Sequence, residues 1–237
     1  MVIFFIIEND MPEYQQIHYP ESKFGGFTYL DGTIVFYSRV NSLIQQSSVV
    51  LDVGCGRGEY RDDVVSFRRE LRILRGKCSK VIGIDVDKAG QENPFLDEFR
   101  NMESNHWPVE DQSIDLCLCD HVVEHIENPN SFFAECARVV KPGGYICIRT
   151  PNTLNYIAVF SRLIPHRFHA KVLGKIQEHR HKEDVFPAFY RCNTKWQLQK
   201  MLRRYGFDAC IVGYEAEPQY CNFFPTLRIF SEYYISV

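Results

Sequence analysis

The 237-residue chain contains no CxxC pair, no internal repeat and no low-complexity stretch, and its opening apolar run, MVIFFII, is only seven residues long. Each absence excludes something. Nine scattered cysteines, an odd number, show no paired-cysteine pattern; Cys117, Cys119 and Cys147 fall within apolar runs and read as small buried hydrophobes of a reducing, cytoplasmic compartment. The opening run meets acids and Pro12 at once, so it is too short to span a bilayer, and it lacks the basic start and small-residue cleavage site of a signal peptide. It reads as a buried strand or as an extension upstream of a start at Met11. Charge is also nearly balanced, 27 Lys and Arg against 30 Asp and Glu, for a net −3, so nucleic acid is not an expected partner of the chain as a whole. The length suits one domain with a large core, divided as an extension and helix (1–45), a ligand-binding core (46–151), an insertion (152–190) and the end of a sheet (191–237).

What is present begins at Val49 to Tyr60, VVLDVGCGRGEY. Val49, Val50, Leu51 and Val53 suit a buried parallel strand, and Gly54, Gly56 and Gly58 suit a turn that something approaches closely. The spacing is G-x-G-x-G, not the G-x-G-x-x-G of a pyrophosphate cradle, and no Lys-Ser or Lys-Thr follows as in a P-loop. Asp52 inside the motif would repel a phosphate and welcome a cation. A second apolar strand, Val81 to Ile84, ends in Asp85, 27 residues after Gly58, where a carboxylate can accept two hydrogen bonds from a ribose diol. A ligand with a ribose and a cationic amino-acid portion is S-adenosylmethionine.

Four blocks in order, VLDVGCGRG, VIGIDVD, WPVEDQSIDLCLCDHVVEHIENP and FFAECARVVKPGGYICIRTPN, span residues 49–152. In that order and spacing they resemble the class I S-adenosylmethionine-dependent methyltransferases of the broad small-molecule type. Alternating strands and helices independently predict an α/β, doubly wound, mostly parallel sheet. The pattern predicts helices over Thr33–Ile44 (with Ile34, Val35, Tyr37, Val40 and Ile44 along one side), Glu59–Leu74, Phe132–Val140 after a cap at Asn130 or Ser131, and Thr194–Tyr205 closed by Gly206 and Phe207. Strands are expected at Val49–Val53, Val81–Ile84, Ile114–Cys119 and Tyr145–Arg149, with residues 89–103 the least legible. The resemblance implies seven strands, Ala209–Val212 and Leu227–Phe230 completing the sheet as an antiparallel pair. The arginines at 61, 68, 69, 72 and 75 read as a solvated helix face.

The resemblance also assigns roles. Gly54, Cys55, Gly56 and Gly58 would line the methionine portion, with the Cys55 thiol itself a small buried group; Asp52 would act on the ammonium, and Asp85, beside Val86, would hold the ribose. The adenine partner falls on Glu103 and Ser104, with Asn105 and His106 as rivals, and Trp107 and Pro108 as wall. The tip of the fourth strand, Asp120-His121-Val122-Val123-Glu124-His125, would face the transferable methyl group, with Asp120 on the cofactor side. It is not the Asn/Asp-Pro-Pro-Tyr tetrad used on amide or exocyclic base nitrogens. His121 is the expected general base, able to take a proton from a hydroxyl near neutral pH; a loop-ordering role is its alternative.

Residues 152–189 are rich in bases and histidines, and Arg162, Arg167 and Lys171 there are expected to hold an anionic acceptor, although a solvated surface explains a basic run equally well. The stretch DVFPAFYRCNT resembles bacterial methyltransferases of glycan and polysaccharide assembly. Three functions stay open. The first is methyl transfer to a hydroxyl of a small molecule or sugar precursor, with no metal. The second is an RNA 2′-O-methyltransferase, because His121, Glu124 and His125 at i, i+3 and i+4 on one helical face could hold an ion, with His166, His169, His179 or His181 completing the set. The third is a non-catalytic scaffold that has kept the cofactor fold.

Overall fold

In a computed structural model, residues 19–153 and 187–213 are described. The chain divides into two compact units, of which the described parts are 19–38 with 60–72, and 39–59 with 73–153 and 187–213.

The second unit contains the sheet. Its strands are β1 (Val49–Val53), β2 (Lys80–Asp85), β3 (Glu98–Asn101), β4 (Ile114–Asp120) and β5 (Val140–Arg149), in the order β3-β2-β1-β4-β5, and every pairing is parallel. A parallel strand covered on both faces reads as a continuous apolar run. Val50, Leu51 and Val53 of β1 and Ile114, Leu116, Cys117, Leu118 and Cys119 of β4 are accordingly buried. Helix α3 (Pro129–Val139) adds Phe132, Phe133, Cys136 and Val139 to this core, and α4 (Lys195–Arg204) adds Leu198 and Leu202. The helix α4 is capped by Thr194, and it ends as expected: Gly206 takes φ +85°, its N–H donates to Arg203 O, and Phe207 N–H donates to Leu202 O.

Five strands are described where seven were expected. Ala209–Val212 forms no strand, and Leu227–Phe230 lies outside the described residues. Helix α3 starts at Pro129 because Asn128 supplies the cap, its Oδ1 accepting from Asn130 and Ser131 N–H; these two were the expected caps. β5 begins five residues early. Ile114 pairs with Val140 and Leu116 with Tyr145, so Lys141–Gly144 bulge against Asp115 and are not a separate turn. The bulge holds because Lys141 Nζ donates to Asp115, whose Oδ2 also accepts from Val49 N–H at 2.8 Å.

The sheet is packed tightly where β2 passes under Leu96. A Cβ on Gly83 would collide with Leu96 and lie 2.8 Å from Cys55 Sγ. Gly83→Ala is therefore expected to destabilise the protein by about 1–3 kcal/mol through overpacking, read as a lowered thermal midpoint. An unchanged midpoint would show that Leu96 yields without cost.

Asp31, in the first unit, caps α1 (Gly32–Leu43), a helix that continues past the unit boundary at Ser38; its Oδ1 accepts from Thr33 and Ile34 N–H at 2.9 Å. Val35 on that helix is exposed, whereas Tyr37 and Val40 are buried, so the apolar side is narrower than expected. The helix expected over 59–74 is broken into a 3₁₀ turn at Glu59–Asp62 and α2 (Ser66–Arg72). Asp63 breaks it by accepting from Val65 N–H at 3.0 Å. The expected solvated face holds in part: Arg61 and Arg75 are exposed, whereas Arg68, Arg69 and Arg72 are half-buried. Arg68 bridges Asp63 and Asp31, Arg72 lies over the rings of Tyr37 and Tyr60, and Arg61 meets Asp62. Arg75, in the second unit, pairs with Asp97.

Candidate active site

The register of the sheet assembles the site. Val53 pairs with Ile84 on one side and Cys119 on the other, so Gly54, Asp85 and Asp120 leave the sheet side by side, at the point where strand order reverses between β1 and β4. On the flanks, Asp85 pairs with Asn101 and Asp120 with Arg149.

Gly54, Gly56 and Gly58 take φ of +66°, +52° and +72°. Gly54 N–H donates to Ile84 O at 2.8 Å and Gly56 N–H to Asp85 Oδ2 at 2.9 Å. Asp85 is 7% exposed, and its Oδ1 accepts from Asp87 N–H at 2.9 Å. Two carboxylate oxygens offer about four acceptor positions, so these amides fix the group and leave part of its capacity unused. A Cβ on Gly56 would meet nothing within 4 Å, so the turn opens into space where its amide touches Asp85. An open, left-handed backbone beside a fixed carboxylate with spare lone pairs fits a ribose diol and the aliphatic portion next to it. Asp52 lies in the β1 register between Gly83 and Leu118, near enough that it and Asp85, after burial, push the Cys55 thiol upward. That thiol packs under Gly83 and Gly90, so Cys55 can line the turn only through its backbone.

Val86 is exposed beside Asp85, and Asn101, which sequence reasoning missed, ties the two together by donating from Nδ2 to Asp85 O at 3.0 Å and Val86 O at 3.2 Å. Its only signal in sequence is a polar residue ending a short strand. Glu103 and Ser104 are exposed just beyond Met102, whose N–H donates to Asp85 O at 2.7 Å. Ser104 Oγ is engaged with the His106 backbone. Trp107 is buried with its ring edge-on to Phe132. An open depression of about 450 Å³ lined by Lys88, Gln91, Asn93 and Phe99 runs along β3 and shares only Asn101 with this edge.

Asp120 faces the neighbouring strand. Arg149 grips it through Nε and Nη2 at 2.6 and 2.7 Å, with both side chains nearly buried. His121 follows at φ +58°, a left-handed conformation uncommon for a residue with a Cβ, and its N–H donates to Arg149 O at 2.9 Å. The ring is half exposed. Its Nδ1 lies 3.1 Å from Glu124 Oε1, and its Nε2 is 4.0 Å from Asp120 Oδ1. Glu124 is 4% exposed, with Oε2 accepting from Thr150 Oγ1 at 2.8 Å. Burial alone would raise its pKa, but the bonds from His121 and Thr150 outweigh that and hold it below the usual carboxylate range.

The expected single helical face is not formed. Val123–His125 is one 3₁₀ turn that begins after His121, and His125 Nδ1 contacts Pro187 O at 3.0 Å. Among the described residues, no three His, Cys, Asp or Glu side chains are arranged to hold a metal ion. Arg162, Arg167, Lys171 and the histidines at 166, 169, 179 and 181 lie outside the described residues. Sequence reasoning missed Thr150 and Asn193, and placed Glu124 in a candidate ion set without pairing it to the His121 ring. The His-x-x-Glu spacing was the available signal.

The methyltransferase domain family matches residues 51–148, which include the glycine turn, Asp85 and His121. Residues 51–148 are an S-adenosylmethionine-dependent methyltransferase domain. The chain is 31% identical over 112 residues to a Mycolicibacterium smegmatis protein named "Probable S-adenosylmethionine-dependent methyltransferase", covering 45% of this chain and 39% of that one. It is 32% identical over 113 residues to a ubiquinone biosynthesis O-methyltransferase of Acinetobacter baumannii, covering 44% of each. This chain thus spans less than half the length of these curated relatives. Among solved structures it resembles, in fold alone, the complex between the Haloferax volcanii Trm112 methyltransferase activator and a candidate methyltransferase, with TM-score 0.50, 16% identity, and 80% and 76% of the two chains covered. The cofactor of such a domain is S-adenosyl-L-methionine.

Proposed function

We propose that this protein transfers a methyl group from S-adenosyl-L-methionine to a hydroxyl of a small molecule or a sugar or glycan precursor. The observation that carries this reading is His121. It stands half exposed at the β4 tip beside the glycine turn, with Nδ1 engaged by Glu124 and Nε2 4.0 Å from Asp120 Oδ1. When bound, S-adenosyl-L-methionine supplies an already activated methyl on a sulfonium, so the protein must mainly position the acceptor and remove its proton. Asp85 and the glycine turn hold the donor, Asp52 faces its ammonium, and His121 takes the hydroxyl proton. Glu103 and Ser104 flank the adenine end. The curated relatives named for ubiquinone O-methylation support a hydroxyl acceptor. The free thiols of the eight described cysteines fit a reducing, cytoplasmic setting. No described helix is long and apolar enough to cross a membrane.

The test is a screen of nucleotide sugars, glycans and small hydroxylated acceptors with labelled S-adenosyl-L-methionine. Transfer to a hydroxyl supports the reading, and transfer only to nitrogen or only to RNA overturns it. The segment 152–190 is proposed to cover the acceptor. Replacing Arg162, Arg167 and Lys171 together with Ala should raise the acceptor KM and leave cofactor affinity alone. Unchanged acceptor kinetics would make the basic run a solvated surface.

A further inference from the structure

Behind His121 lies a polar chain that the methyl-transfer reading does not yet use. Asn193 Nδ2 donates to Thr150 Oγ1 at 2.6 Å, Thr150 Oγ1 donates to Glu124 Oε2 at 2.8 Å, and Glu124 Oε1 meets His121 Nδ1 at 3.1 Å. Its direction is determined by chemistry. A hydroxyl has one proton, so a Thr150 that accepts from an amide gives that proton to the carboxylate. An ionised carboxylate only accepts, so the hydrogen between it and the imidazole belongs to Nδ1.

Every member has an anchor. Thr150 directly follows β5, which pairs with β4, and Asn193 directly precedes the Thr194 cap of α4. Asn193 is 2% exposed, and its Oδ1 is buried without a hydrogen-bond partner among the described residues. An unpaired buried acceptor is costly, and the donation from Nδ2 is the side-chain bond that holds the amide in place. Glu124 O accepts from Phe189 and Tyr190 N–H at 2.8 and 3.1 Å, and Asn193 O accepts from Thr153 N–H at 3.0 Å. The carboxylate is thus held at both main chain and side chain. Among the described residues, the other carboxylate beside the ring is Asp120, whose Oδ1 lies 4.0 Å from Nε2 and accepts from Arg149 Nε at 2.6 Å, so Glu124 makes the shorter contact.

We propose that Glu124 is a positioning residue that holds His121 in its Nδ1–H form, with Thr150 and Asn193 aiming the carboxylate, so that Nε2 carries the basic lone pair. This rests on His121 as the base, but its first test does not depend on turnover. ¹⁵N NMR of the full chain with labelled histidine, at a pH where imidazole is neutral and with His121→Asn assigning the signal, should show His121 protonated on Nδ1. Glu124→Gln should shift it toward the Nε2–H form that free imidazole side chains prefer. In kinetics, Glu124→Gln should lower kcat by about 10²–10⁴ at unchanged acceptor KM, the scale on which an orienting carboxylate acts in a Ser-His-Asp triad. Thr150→Val should lower kcat in the same direction, and Thr150→Ser, which keeps the hydroxyl, should restore it. A wild-type signal of the Nε2–H form, or Glu124→Gln retaining the Nδ1–H form, overturns the proposal. If the Nδ1–H form depends on Glu124 but His121→Asn turns over normally, the orientation stands and the base reading fails.

Discussion

Replacing His121 removes the base and should lower kcat by about 10²–10⁴, the usual worth of general-base catalysis. Asn is the cleaner substitution, because it tolerates the left-handed φ of +58° that this position requires and cannot accept a proton near neutral pH. His121→Ala should lose as much activity. Affinity for S-adenosyl-L-methionine should barely change in either variant, since the glycine turn and Asp85 lie on neighbouring strands and keep their own bonds. A general base must be deprotonated to act, so wild-type kcat should rise with pH and the variants should lose that dependence. Near-normal turnover in His121→Asn would reduce the residue to loop structure. Loss of a bound metal together with activity would favour an ion site instead.

The second large effect concerns the cofactor. Calorimetry on Asp85→Ala should show S-adenosyl-L-methionine binding weakened by roughly 1.5–3 kcal/mol, about 10–100-fold, because two ribose hydroxyls lose a charged acceptor. The same carboxylate also accepts from Gly56 and Asp87 N–H, so part of the loss will come from a loosened turn. Asp85→Asn separates the two, since its one remaining carbonyl can serve an amide but not the full set of partners. Unchanged affinity in Asp85→Ala would remove the ribose role. Binding of a nicotinamide dinucleotide by the wild type would overturn the cofactor itself.

Legibility followed the range of the interactions. The strands β1, β2 and β4 were visible because a buried parallel strand must be apolar throughout, and VVLDV, VIGID and IDLCLCD each are nearly so. The end of α4 was visible because Thr194, Gly206 and Phe207 act on backbone atoms within a few residues. The short strand β3, with every residue only half buried, carried no such pattern. The break between Asp62 and Ser66 was missed because helical periodicity outweighed one Asx turn at Asp63.

At the site the same division holds. The sequence by itself determined where the glycine turn, Asp85 at the tip of the second strand and His121 at the tip of the fourth would fall, because each is specified by its place at a strand end. Only the tertiary structure decided what these residues touch. Asp120 turned out to belong to Arg149, 29 residues away, and Glu124 to a chain running through Thr150 to Asn193. His121 left the helical face expected of it, because its left-handed φ ends the strand before a three-residue turn begins. The physical reason is that hydrogen bonds between strand tips depend on sheet order and register, which bring distant residues together and leave no local periodicity to read.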